Sequence, residues 1–482
     1  FVNLTVARSL KRAKEIGVRK VVGSDRRQLI WQLLGESYII SLIAFLLALA
    51  IAQLLLPFFN ELSNKVLSLS YLFDWKLLAG YVFLFLITGF LAGFYPALVL
   101  SGFNPVETLY NRFRLSGKNY VQRSLVVLQF SLATLLIIAT TVMYKQFHFL
   151  VSKDLGYDDK HLITIPNVSN NEISVFRQEL LKNPNIEQVA IRNNGFNITV
   201  ARVNVDKEIE FTMDWIDADY LPIYKIPVVQ GRNFSKTMAY DSTSSVLVNE
   251  AFVKAAGWKN PIGQTVDFWY NQKKLTVVGV VRDHHYSSLN EAIKPQLFSN
   301  NQNNFGLAVV RMKEGTAAAV LPYIEQVFKK LLPIQPYSYE FKDISNQRQY
   351  ESEARWKKML LFGAVLTIFI SCIGLFGLSV LAAERRVKEI GVRKVLGASV
   401  TNITTALSKD FLKLVIISLL ISIPVAWLLA DKWLQNYPYR TVLNAWMFVI
   451  AGVCIILVAV LTVSFQAVKA AVSNPVKSLR TE

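Results

Sequence analysis

Residues 14–23 read KEIGVRKVVG and residues 388–397 read KEIGVRKVLG, so nine of ten positions recur at an offset of 374. A duplication of this kind marks a repeated structural unit. The same offset aligns Glu36 with Asp410, and Asn104-Pro105-Val106 recurs as Asn474-Pro475-Val476 at an offset of 370. Long apolar runs surround both copies. An α-helix needs about 20 residues to cross a bilayer core of about 30 Å. Six runs reach or approach that length: Tyr38–Leu56, Leu77–Leu100, Ser124–Tyr144, Met359–Ala383, Leu414–Ala430 and Ala445–Val468. The fifth gains a turn, from Phe411, if Lys413 snorkels to the interface. One run could be a buried helix in a soluble core; six point to membrane insertion. The repeated unit is therefore a basic segment, a span out, a short loop, a span back and an NPV tail.

The chain has 482 residues, 52% hydrophobic and 18% charged, a mean hydropathy of +0.33 and a net charge of +18. It is too apolar for a disordered chain or a typical nucleic-acid-binding domain. Its two cysteines make no disulfide framework. Lys and Arg number eight in residues 1–28, four in 101–123, six in 384–410 and three in 469–482, against two each in 57–76 and 431–445. Short basic loops stay inside. Residues 145–358 then fall outside the membrane, and their net charge is only +3. The remaining +15 belongs to the membrane part, where it suits anionic lipid headgroups or an acidic cytoplasmic protein surface. Phe1 aligns with Leu375, inside a span, and no initiator Met or signal peptide is present. The expectation is a portion of a longer chain, with at least one further span and, by symmetry with 124–383, a second outside domain.

In the duplicated segment, Glu15/Arg19 and Glu389/Arg393 stand at i,i+4 in the favourable order. Ile16 with Val21 and Val22 forms an apolar side beside a basic one. Gly23 and Gly397 suit a helix C-terminus, and Ser24 or Ser399 can cap the next helix. This predicts a short amphipathic helix beneath the membrane. A mere positive-inside anchor is the plain alternative, but it needs charge rather than nine identities in ten. Glu36 and Asp410 stand near the inner ends of spans. They either favour a helix N-terminus or pair with an Arg of the duplicated segment.

Strand-like runs at 162–165, 208–215, 245–248, 275–281 and 307–311, with helical patterns at 172–182 and 316–331, predict a mixed α/β outside domain. Residues 342–358 read as a stalk helix running straight into a span, and Tyr144–Asp154 could extend the preceding span. His284-His285 is expected to be a solvated loop pair, since adjacent histidines on a strand point opposite ways. Cys372 and Cys454 are expected to be buried thiols, Pro96 and Pro424 to kink spans, and Gly89, Gly93, Gly374 and Gly377 to permit close packing. Trp433, Tyr437 and Tyr439 fit an interfacial belt. No G-x-x-x-x-G-K-[ST], HExxH, GxSxG or CxxC occurs, so no catalytic set, cofactor site or metal site is predicted. An ion-coupled transporter would need mid-membrane charge, and none of the six runs has any.

KEIGVRKVxG, two spans and an NPV tail together resemble the FtsX-like permease domain. The outside segment resembles the periplasmic domain of MacB-like permeases, through Asp154-Leu155-Gly156-Tyr157-Asp158, Gly231-Arg232-Asn233-Phe234-Ser235, Val248-Asn249-Glu250-Ala251-Phe252, Asn260-Pro261-Ile262-Gly263 and Val278-Gly279-Val280-Val281-Arg282-Asp283. The chain is identified as a member of the MacB/FtsX-like permeases of type VII ABC transporters, in a two-repeat form without a fused ATPase. The implied fold is an α-helical polytopic membrane protein with an extracytoplasmic mixed α/β domain. Its implied parts are a first permease repeat over 1–110, truncated at its first span, and a linker over 111–123. A transmembrane helix over 124–147, a MacB-like domain with stalk over 148–355 and a second repeat over 356–482 follow. The implied location is the bacterial inner membrane, with residues 145–358 outside. The implied function is mechanotransmission, in which ATPase motion is passed to the outside domain for efflux or extraction of peptides, lipoproteins or antibiotics. The alternative is a non-transporting regulator of a cell-wall hydrolase or a sensory module. The implied partners are a cytoplasmic ATPase dimer, membrane lipids, and a periplasmic adaptor with an outer-membrane channel. The ATPase-coupling residues would be Glu15, Ile16, Gly17, Arg19, Lys20 and Gly23, with Glu389, Ile390, Gly391, Arg393, Lys394 and Gly397.

Overall fold

The protein is described by a computed structural model covering residues 18–68, 74–101, 120–168, 172–195, 197–204, 206–301, 305–385 and 387–472. Apolar sequence becomes long helix from the start. Helices α1 (Arg26–Ser63), α2 (Trp75–Ser101) and α3 (Tyr120–Ser152) carry the first three expected spans. α1 begins at Asp25, whose carboxylate accepts the Arg26 N–H at 2.7 Å and forms a capping box with Gln28. Ser24 was the expected cap; Asp25, one residue on, takes the role, because a carboxylate also favours the positive helix N-terminus.

Strand-forming, β-branched sequence follows. Eleven strands are present among the described residues: β1 (Leu162–Pro166), β2 (Ile186–Arg192), β3 (Asn197–Val203), β4 (Lys207–Trp215), β5 (Val228–Gly231), β6 (Ser245–Asn249), β7 (Thr265–Phe268), β8 (Lys273–Val281), β9 (Gln296–Ser299), β10 (Leu307–Met312) and β11 (Glu340–Phe341). A four-stranded sheet has the order β11-β1-β10-β2. Helices α4 (Ile173–Leu180) and α6 (Ala317–Leu331) pack on it through Phe176, Ile324 and Phe328, with α5 (Glu250–Ala256) belonging to the second sheet. That sheet has the order β5-β8-β6-β9-β4-β3-β7, and β7 also pairs with β8, so six strands close into a ring. Its interior holds Phe211, Phe252, Val266 and Leu297. Leu162, Ile223, Phe298 and Val309 join the two sheets in a shared core.

The expected stalk differs from the observed one. α7 (Lys342–Arg348) ends before Tyr350, and a separate helix α8 (Glu351–Arg385) runs on without interruption. Tyr350 causes the break: it is buried beside Leu150 and Leu289, and its hydroxyl accepts the Leu289 N–H at 2.9 Å. After α8 come α9 (Val387–Val395), α10 (Val400–Leu434) and α11 (Ala445–Val472).

Chain contacts divide the protein into two compact units. One comprises residues 1–146, 353–434 and 442–482; the other comprises 147–352 and 435–441. In the first, Phe130 of α3, Leu375 of α8, Val415 of α10 and Ile455 of α11 form one buried cluster. Small residues let helices approach: a β-carbon on Gly89 would strike the Tyr38 ring, and one on Gly93 would meet Ser37. Among the described residues, α1, α3, α8, α10 and α11 are long and apolar enough to cross a membrane, and α2 is apolar over Trp75–Leu91. Leu420, Leu461 and Phe465 are exposed on the outer faces, as a lipid-facing surface requires. Cys454 is exposed and Cys372 half-exposed, rather than buried as expected, because each falls on an outward helix face. Tyr437 and Tyr439 pack with Phe147, Phe149 and Leu155 in the second unit.

Candidate functional site

The second copy of the duplicated segment is helix α9. Glu389 and Arg393 pair across one turn at 2.7 Å, both about half exposed. Such a pair orders a short helix only modestly, by about 0.3–0.5 kcal/mol. Anchoring comes from the other face: Ile390 is buried against Ile403 and Leu407 of α10 and Ala467 of α11, and Gly391 is buried beside it. Val392, Val395 and Leu396 lie on the outward face, 49%, 66% and 79% exposed. Spacing of i, i+3 and i+4 makes them one ridge.

The first copy repeats this at the same offset. Val18, Val21 and Val22 are 49%, 63% and 82% exposed. Of the sequence-predicted residues, Glu15, Ile16 and Gly17 lie outside the described residues. Arg19 and Lys20 are half-buried, and burial, then the Arg26 charge, lowers the Lys20 pKa. Both segments close alike. Gly23 N–H donates to Lys20 O at 3.1 Å and Ser24 N–H to Arg19 O at 3.0 Å; Gly397 N–H donates to Lys394 O at 3.1 Å and Ala398 N–H to Arg393 O at 2.9 Å. This is a Schellman closure, which needs a left-handed residue. Gly23 and Gly397 supply it at φ +104° and +86°. Ser399 then caps α10 as expected, accepting the Asn402 N–H at 3.2 Å.

The helix-terminus reading of Glu36 and Asp410 fails. α1 starts at Arg26 and α10 at Val400, so each acid stands well inside its helix. A helix dipole acts on the first turn only. Glu36 instead accepts a hydrogen bond from Gln32 Nε2 at 3.2 Å.

In the α/β unit, the quoted motifs meet around β8. Gly279 lies opposite Gly231 of β5. Gly263 N–H donates to Val277 O at 2.9 Å. Asn249 caps α5 by accepting the Phe252 N–H, and the Asp283 carboxylate accepts the Ala251 N–H at 3.0 Å. Arg232 clamps the fully buried Asp241 carboxylate through two bonds of 2.6 and 2.8 Å. That clamp, with the Ser235 N–H and Ser245 hydroxyl, holds the Asp241 pKa at about 2. These contacts hold the fold. The solvated reading of the histidine pair is overturned: His284 stacks on Phe298, and its Nδ1–H donates to Arg282 O at 3.2 Å. Burial drives the pKa of His284 to about 4. Sequence alone places Val21 and Val22 on one apolar side with Ile16; in the second copy the matching Ile390 is buried while Val395 and Leu396 are exposed with Val392, so the ridge follows the i, i+3, i+4 spacing instead.

The FtsX-like permease C-terminal family matches residues 1–105 and 361–475, and the MacB-like periplasmic core domain matches residues 123–327. The macrolide export ATP-binding/permease protein MacB of Aggregatibacter actinomycetemcomitans is 25% identical over 199 residues, 39% of this chain and 30% of that protein. MacB of Bdellovibrio bacteriovorus is 34% identical over 113 residues, 23% of this chain and 16% of that protein. The matched region thus spans less than a third of these relatives. Among solved structures, the periplasmic region of MacB from Actinobacillus actinomycetemcomitans aligns at 18% identity and TM-score 0.32, covering 41% of this chain and 96% of that one. The extracellular domain of the noncanonic ABC-type transporter YknZ aligns at 14% identity and TM-score 0.29, covering 37% and 97%. With FtsX-like segments on either side of a MacB-like core domain, the chain belongs to the MacB/FtsX-like family of ABC-transporter permeases.

Proposed function

We propose that the chain is the membrane subunit that passes the motion of a separate cytoplasmic ATPase to its extracytoplasmic domain, by mechanotransmission. Residues 1–110 and 356–482 act as the two permease repeats, and 148–355 as the driven domain. The membrane is the bacterial inner membrane, with residues 145–358 outside. Substrates are peptides, lipoproteins or amphipathic antibiotics handled on the outer side, with an adaptor and outer-membrane channel as further partners.

One observation carries this reading: the same exposed apolar ridge and neighbouring basic residues recur in both copies, on a short helix whose second copy is anchored through Ile390. A topology anchor requires the charge but not the ridge. The MacB relatives are named as ATP-binding/permease proteins, whereas no Walker A pattern occurs in this chain. A repeated exposed surface is where a separate ATPase would act on the chain. Exposed Val395 and Leu396 suit burial in a groove on the ATPase, with Arg393 at the rim.

The test is co-purification of the full chain with candidate ATPases. Reversing Arg19 and Arg393 to Glu together should weaken the complex at least tenfold. A complex of unchanged affinity would remove the duplicated segment from the interface.

A further inference from the structure

Adjacent histidines at the end of β8 point to opposite sides, and both are buried, His284 2% and His285 8% exposed. His284 turns toward Phe298, Tyr157 and Tyr286 inside the unit. His285 turns the other way. Its backbone N–H donates to Leu155 O at 2.8 Å, and its ring meets Tyr439 edge-on with centroids 4.8 Å apart. Its ring is among the side chains that face a cavity of about 280 Å³ inside the α/β unit.

The cavity has a built wall and an apolar floor. Tyr157 donates its hydroxyl proton to Asn346 Oδ1 at 3.2 Å, and Asn346 Nδ2 donates to Asp159 Oδ2 at 2.8 Å. Asn346 is buried, so this chain fixes the Asp159 carboxylate at the wall. Leu150, Leu155 and Tyr350 supply the floor. Gln347, Gln349 and Ser287 stand at the mouth, adding amide and hydroxyl groups that donate and accept. Carboxylates of Asp159 and Asp343 share the rim with the Lys160 ammonium, so both signs of charge are present. Burial, then the Lys153 charge, pulls the His285 pKa down to about 4. The ring is therefore neutral near pH 7, with one donor and one acceptor.

We propose that this cavity is a binding site for a short peptide segment carrying an apolar side chain. A peptide group presents one donor and one acceptor per residue. Imidazole and side-chain amides match that pair, and the floor takes the side chain. A simple organic cation or anion fits less well, because the rim has no strong excess of either sign. The volume lies just below the roughly 300–1,000 Å³ of pockets for drug-sized ligands. It therefore admits a short segment rather than a folded partner. The site lies within one unit and is independent of ATPase docking.

The probe is acetyl-dileucine amide, with 1-hexanol as an apolar control without peptide groups. Saturation-transfer difference NMR is recorded on the full chain in nanodiscs and on empty nanodiscs. The dipeptide should receive saturation from the protein well above the empty-disc level, while hexanol does not. His285→Phe keeps the ring shape and removes both nitrogens, and it should weaken binding at least tenfold. Gln349→Ala, at the exposed mouth, should weaken it several-fold without affecting folding. Ser287→Trp should abolish the signal by filling the cavity. Equal dipeptide signals from the wild type, Gln349→Ala and Ser287→Trp would overturn the proposal, as would a wild-type signal no greater than that of empty discs.

Discussion

Gly231 and Gly279 face each other in the antiparallel register of β5 and β8, and a β-carbon on either would strike the opposing backbone. At Gly231 the obstruction is the Val278 carbonyl oxygen; at Gly279 it is the Arg232 carbonyl oxygen. Gly231 also sits at φ +73°. Gly279→Ala should therefore force the two strands apart and cost about 2–3 kcal/mol. Chemical unfolding of the full chain, followed by tryptophan fluorescence, checks this. Gly257→Ala is the companion variant, since its β-carbon would meet open space and only its φ of +76° opposes it. It should cost about 1–2 kcal/mol.

The ridge and the anchor of α9 should separate in experiment. Val395→Asp and Leu396→Asp remove exposed apolar surface, so folding should change by less than about 0.5 kcal/mol. ATPase co-purification should fall sharply. Ile390→Ala should instead loosen α9 from α10 and α11, costing about 2 kcal/mol or more. Melting curves combined with pull-downs distinguish the two outcomes.

Closure of the duplicated segment is a backbone requirement. Gly23 and Gly397 have no atom within 4 Å of a would-be β-carbon, so crowding plays no part. Substituting Ala at either position should cost about 1–2 kcal/mol through the left-handed conformation alone. Asn tolerates that region better, so Gly397→Asn should lose less than Gly397→Ala. Proteolytic nicking near 396–399, quantified by mass spectrometry, should follow the same order.

Acid should destabilise the α/β unit in two stages. His284 and His285 have pKa values lowered to about 4 from 6.5. The unfolded chain then binds more protons between those values, so stability falls as pH drops from about 6.5 to 4. Asp241 is held at about 2 against 3.8. Its contribution is full above pH 3.8 and fades as pH falls toward 2. Arg232 is 41% exposed, so screening limits that contribution to roughly 1–2 kcal/mol. His284→Phe retains the stack on Phe298 and should flatten the first stage, read from melting temperature against pH.

The mechanical reading has its own test. A flexible Gly-Ser run inserted between Arg355 and Met359 interrupts α8, which is otherwise continuous over Glu351–Arg385. Transport or substrate release should be lost while ATP hydrolysis by the complex continues. Full activity in the insertion variant would exclude a rigid lever.

Much of this architecture was legible because its physics is local. Spans declare themselves by length and lack of charge, and β1, β6, β8 and β10 by their β-branched residues. The duplicated decapeptide exposed the repeat without any packing argument. Long-range features were not legible. The break between α7 and α8 depends on Tyr350 meeting Leu289, 61 positions away. Burial of His284 depends on Phe298 of β9. Strands β5, β7 and β9 have only four residues each, too few to show a period, and they pair because β8, β6 and β4 offer them an edge. Within the duplicated segment, Val21 and Val22 were legible as apolar, but their separation from the Ile position depends on α10 and α11, which bury Ile390.

Strand β8 is bonded along one edge by β7 and then β5, and along the other by β6. Few of its amides can reach water by local fraying. Their hydrogen exchange should therefore require opening of the whole ring, so β8 would report the global unfolding free energy of the unit. The termini of α7 and the loop before α8 would exchange through smaller openings. A pulse-labelling experiment on the intact chain would thus read two separate stabilities from one sample.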